Sequence, residues 1–103
     1  MINYAEYCIR HDKGTMLNIW TGENSVKEQF IYKFPNGYGA SVIRFPGTYG
    51  YSEGLWELAV IKFSDNNDCD DFELVYDTPI TDDVLGFLDV DDVSEVLNDI
   101  FRL

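Results

Sequence analysis

The chain has 103 residues, a net charge of −12, and 46% hydrophobic residues, with aromatics making up 16% of the whole. That length suits a single domain, 1–103, burying roughly two thirds of the surface its unfolded form exposes, and the apolar content excludes a disordered polyanion. The charge argues against direct nucleic-acid binding and against an anionic membrane surface, and no apolar stretch approaches the ~20 residues needed to span a bilayer.

In chain order, Tyr4 to Arg10 and Met16 to Trp20 are β-prone runs separated by the turn-like His11-Asp12-Lys13-Gly14, which predicts an N-terminal hairpin. Glu23 to Lys27 reads as loop or a single helical turn. The next segment places Phe30, Tyr32 and Phe34 on one strand face and Ile31 and Lys33 on the other, and it stops at Pro35. Asn36-Gly37 suits the positive φ angles of a type I′ turn, with Gly39 allowing a bulge, before a second strand from Ala40 to Phe45. A connection from Pro46 to Gly54 holds three glycines and two tyrosines. Leu55 to Phe63 is apolar on both faces, as a central strand covered by a helix would be. After the polar "DNNDCDD", Phe72 to Tyr76 completes an antiparallel meander of four strands.

The period then changes. Asp77-Thr78-Pro79 stops the sheet, Thr81 is placed to cap a short helix over Asp82 to Leu88, and Asp89 to cap a second that begins at Val90. In the second, Val93, Val96, Leu97, Ile100 and Phe101 recur at the spacing of a buried stripe, with Leu58, Val60 and Val75 as its expected partners. The predicted fold is α+β: an antiparallel sheet of four to six strands with C-terminal helices packed on one face.

Charge is distributed unevenly. Residues 1–63 carry six acids and six bases, whereas residues 64–103 carry thirteen acids and the single base Arg102. On the last helix the pairs Asp91/Glu95, Glu95/Asp99 and Asp92/Glu95 each cost about 0.2–0.5 kcal/mol in isolation, offset in part by the helix dipole in the first turn. Solubility alone would be served by interleaved lysines. Asp70, Asp71, Asp82, Asp83, Asp91, Asp92, Glu95 and Asp99 are therefore the candidate electrostatic surface, directed at a partner protein with a basic face. Tyr38, Tyr49 and Tyr51, in glycine-rich loops, are candidate aromatic anchors, because tyrosine offers large contact area at small entropic cost. They belong to a second reading, an interaction or assembly module using these loops and a sheet edge, with a homodimer as one arrangement of it.

Signals for chemistry are sparse. His11, the only histidine, reads as a solvated turn residue. Cys8 reads as a small hydrophobe, and Cys69 is surrounded by aspartates that blunt a thiolate. The acidic loop fails the EF-hand spacing, with Asp71 where glycine is needed and Asp77 where a bidentate glutamate belongs. The expectation is a protein that is not an enzyme, with no metal and no cofactor. Cysteines without CxxC spacing and an N-terminus without signal character lead to an expected cytoplasmic location.

The segments "NGYGASVIRF", "GLWELAVIKF" and "YDTPITDDVLGFL" together resemble a set of small bacteriophage and prophage proteins sharing an NGYGASV, GLWELAV, YDTPITDDV pattern, most with no assigned activity. The likeness covers Phe34 to Phe101, and it transfers no catalytic residue. It implies a phage context, in which small acidic proteins often disable host machinery that handles DNA, as uracil-DNA glycosylase inhibitor and several restriction and CRISPR inhibitors do by presenting carboxylates to a DNA-binding groove. The expected function is accordingly a phage accessory protein that binds a nucleic-acid-handling host protein.

Overall fold

A computed structural model describes residues 4–64, 72–75, 78 and 84–103. The fold is α+β, a six-stranded antiparallel sheet with one C-terminal helix packed against it. The strands are β1 (Cys8–Leu17), β2 (Asn24–Lys33), β3 (Tyr38–Arg44), β4 (Trp56–Phe63), β5 (Phe72–Leu74) and β6 (Leu85–Leu88), followed by α1 (Val90–Phe101). Strand order is β1-β2-β3-β4-β5, with β6 also pairing to β4.

The meander from β2 to β5 follows the predicted alternation. Register pairs Tyr32 with Ala40, Phe30 with Val42, Ala40 with Val60 and Val42 with Leu58, so these side chains share one face. They form the main core with Trp56 and the helix residues Val93, Leu97 and Ile100. On the other face Ile31, Ile61 and Phe63 form a smaller cluster against Phe72. The β2–β3 turn differs from the expected type I′. Gly37 N–H donates to Phe34 O at 3.1 Å and only Gly37, at φ +87°, is left-handed, which describes a type I turn closed by a glycine bulge, the form favoured when proline occupies its second position.

The N-terminal region departs further from expectation. His11-Asp12-Lys13-Gly14 is no turn but the middle of β1, pairing with Phe30, Gln29, Glu28 and Lys27. The turn falls at residues 18–23, and Glu23 to Lys27 is mostly strand. Cross-strand pairing along β2 outweighs the local turn preference of Asp and Gly. The first predicted C-terminal helix is also corrected: Leu85–Leu88 is a strand, with Leu88 opposite Trp56 and Leu85 opposite Leu58. An open edge of β4 supplies hydrogen-bond partners that a one-turn helix would lack. The proposed cap at Thr81 lies outside the described residues.

Helix α1 begins as predicted. Asp89 accepts from Asp92 N–H at 2.7 Å while the Asp92 carboxylate accepts from Asp89 N–H at 3.2 Å, a reciprocal capping box. Its far end is held by the β2–β3 turn, where Asn36 Nδ2 donates to the carbonyls of Ile100, Phe101 and Leu103 at 2.8–3.2 Å. Val93, Leu97 and Ile100 are fully buried, but Phe101 is 36% exposed and lies at the rim, its ring against Tyr4, Tyr7 and Phe34. Among the described residues no helix is long and apolar enough to cross a membrane.

Candidate functional site

Because the buried stripe of α1 faces the sheet, its acids face away from it. Asp91, Asp92, Glu95 and Asp99 are all exposed. Ion pairs between described residues include Arg10–Asp12, His11–Glu28 and Arg44–Glu28, none of which involves a helix carboxylate. Lys33 and Lys62 sit over the rings of Phe63 and Tyr38. The outward face of α1 is therefore a row of carboxylates that form no ion pair with another described residue, Arg102 at the helix end being the base nearest to them in the chain. Asp92 differs from the others in closing the capping box. Asp70, Asp71, Asp82 and Asp83 lie outside the described residues.

The three tyrosines proposed as anchors are separated. Tyr38 begins β3 at the turn that holds the helix C-terminus, is half-buried, and lies under Lys62 Nζ at 5.4 Å. Tyr51 is also half-buried, its hydroxyl donating to Val26 O at 3.0 Å. Only Tyr49 presents its ring to solvent, 61% exposed. It pairs with Phe87, 56% exposed, at 6.1 Å between centroids.

Sequence reading missed Phe87, Ile19 and Trp20. Ile19 is 76% and Trp20 70% exposed, at the β1–β2 tip rather than inside a strand. That tip is braced by Asn18, which is buried: its Oδ1 accepts from the amides of Trp20 and Thr21, its own N–H donates to Glu23 O, and its carbonyl accepts from Gly22. Thr21-Gly22, three residues after Asn18, was the available turn signal, but the apolar Met16 to Trp20 run overrode it.

His11 is likewise not a loop residue. Its ring stacks on Phe30 at 4.0 Å, and Nε2 lies 2.6 Å from Glu28 Oε2. Glu28 is buried, and its second oxygen accepts from Arg44, whose guanidinium covers Trp56 at 4.4 Å. Burying a carboxylate demands such partners, so this constellation is accounted for by the fold.

The sheet face opposite α1 carries a groove of about 790 Å³, lined by Arg10, Asp12, Gln29, Ser41, Ile43 and Ala59 among others. Its lining includes Arg10, Lys13 and Lys27 against Asp12, Glu28 and Glu57, so its charges balance while those of the outer helix face do not. Among the described residues no group of three or more His, Cys, Asp or Glu side chains is gathered to hold a metal. Comparison of the chain with protein-family models, curated proteins and solved structures gives no match.

Proposed function

We propose that the protein is a non-enzymatic accessory protein of bacteriophage type that docks on a basic, nucleic-acid-handling host protein through the outward face of α1. The reading is carried by one observation: Asp91, Glu95 and Asp99 stand exposed on one helix face with no basic partner among the described residues. Successive members are ~6 Å apart along the axis, at 1.5 Å per residue. Because α1 is clamped at both ends, by the Asp89/Asp92 box and by Asn36, these charges are held on a rigid scaffold and lose little entropy on docking. Like charges so arranged repel one another and are relieved by a cationic surface.

The test is affinity capture from host lysate at low and physiological salt, comparing the wild type with the triple variant Asp91→Asn/Glu95→Gln/Asp99→Asn. Capture that weakens with salt and disappears in the variant, with the circular dichroism spectrum unchanged, supports the reading. Capture indifferent to both removes it.

A further inference from the structure

The β1–β2 tip, the loop after β3 and the end of β6 meet at one end of the molecule and leave aromatic groups uncovered there. The Trp20 ring lies against Gly47, its Cη2 3.6 Å from where a Cβ would stand. Two residues on, Tyr49 packs on Phe87, whose N–H points to Tyr49 O at 3.5 Å. Gly50, at φ +86°, lets the loop close: a Cβ there would stand 3.1 Å from Phe87 Cα. Trp20 over Gly47 and the Tyr49–Phe87 pair thus gather exposed apolar groups from three short segments around one loop, with the exposed Ile19 next to Trp20 in the chain.

Two features set this patch apart from incidental exposure. It is preorganised, since Asn18 braces the tip and Thr48 braces the loop through bonds in both directions with Phe45. It also contains a strained residue: the irregularity in the β4–β6 ladder places Phe87 at φ +56°, a conformation rare for an aromatic residue and characteristic of sites where strain serves function. The charges carried by these segments are of one sign, and Arg44, which reaches the loop at Gly54 O, is paired with Glu28. Residues 17–24, 46–55 and 85–90 hold Glu23, Glu53 and Asp89, all exposed, and no Lys or Arg.

We infer that this end is a second docking surface, in which Trp20, Tyr49 and Phe87 enter an apolar cleft of a partner protein bordered by lysine and arginine. Aromatic anchors inside a polar rim are the usual anatomy of a hot spot. The acidic rim selects a basic border and opposes both a second copy of this chain and an anionic lipid surface, each of which would bring like charges together. The inference is independent of the outward helix face, because none of its anchors or rim carboxylates is Asp91, Glu95 or Asp99.

The probe is a synthetic amphipathic peptide built only of leucine and lysine, titrated against the full chain while Trp20 fluorescence is followed. Trp56 is buried beneath Arg44 and serves as an internal constant. The expected result is a blue shift with protection from acrylamide quenching, and an affinity at least tenfold weaker for the Tyr49→Ser/Phe87→Ser variant, which keeps Trp20 as the reporter. The Asp91→Asn/Glu95→Gln/Asp99→Asn variant should keep its affinity within about threefold of wild type, so failure here and failure of the helix-face reading are distinguishable. Quenching protection in the wild type tests the contact without any substitution. Equal binding of a serine/lysine peptide would reduce the surface to charge alone, and equal binding of a leucine/glutamate peptide to unselective stickiness. Stronger response to phosphatidylcholine or phosphatidylglycerol vesicles, dimerisation in sedimentation, or no peptide binding would each overturn the proposal.

Discussion

His11 Nε2 lies 2.6 Å from Glu28 Oε2, diagonally across the β1–β2 ladder, and Glu28 is held from its other side by Arg44 at 3.3 Å. The buried carboxylate thus joins the outermost strand to the loop after β3, because Arg44 also donates to Gly54 O. Replacing Glu28 by Gln leaves Arg44 without its anion. The expected loss is about 1–3 kcal/mol in urea denaturation. His11→Phe preserves the stack on Phe30 and removes only a half-exposed pair, with an expected cost of about 0–1 kcal/mol. A larger effect of His11→Phe than of Glu28→Gln would contradict this arrangement.

The helix acids divide by role. Asp89 satisfies an orphan amide at the start of α1 and Asp92 completes the reciprocal bond. Asp89→Ala should therefore destabilise the protein by about 0.5–2 kcal/mol. Asp91, Glu95 and Asp99 make no such bond, and neutralising them relieves like-charge repulsion at i, i+4. Thermal denaturation of the triple variant should show a midpoint equal to or above that of wild type.

Burial separates Leu97 from Phe101, although the two share one stripe in the sequence. Leu97 is fully enclosed, so Leu97→Ala should cost about 2–5 kcal/mol. Phe101 keeps part of its ring in solvent, and Phe101→Ala should fall below the about 3–5 kcal/mol of a core phenylalanine. Equal losses for the two in chemical denaturation would mean that the helix end is more enclosed than its exposure indicates.

Alkaline pH should weaken the fold through Tyr32. Burial, with a smaller contribution from the Cys8 thiol, pushes its phenol from 10.0 up to about 12. Between those values the unfolded chain has released this proton while the folded one retains it, so the unfolded state binds fewer protons and stability declines as pH rises through the interval. Below pH 10 both states are protonated and the contribution is constant. Tyr32→Phe should flatten the decline in a plot of unfolding free energy against pH, and an unchanged slope would assign it to other groups.

The legible parts of this protein are those in which periodicity and local chemistry agree. Phe30, Tyr32 and Phe34 alternate with Ile31 and Lys33, and both sets meet the faces that the alternation implies. Asp89 before an amphipathic stripe marked the start of α1, and the charge imbalance between the two parts of the chain was a matter of counting. Where local preference and long-range pairing disagree, pairing prevails. Asp12-Lys13-Gly14 has turn chemistry but lies opposite Glu28 and Lys27, whose ladder supplies more hydrogen bonds than a turn would. Leu85–Leu88 could have continued as helix, yet the free edge of β4 draws it into the sheet.

Exposure is the property that chain order conceals. Trp20 and Phe87 resemble core residues in composition, and Tyr38, Tyr49 and Tyr51 resemble one another in their glycine-rich settings. Which of them faces solvent depends on where the tip of β1–β2 turns, on the positive φ at Phe87 and on the partners Val26 and Lys62 supply to the other two tyrosines. The amino-acid order therefore accounts for which faces are apolar and where negative charge accumulates, since those follow from side-chain chemistry at fixed spacing. The grouping of Trp20, Tyr49 and Phe87 around one loop arises only once three segments distant in the chain are packed together.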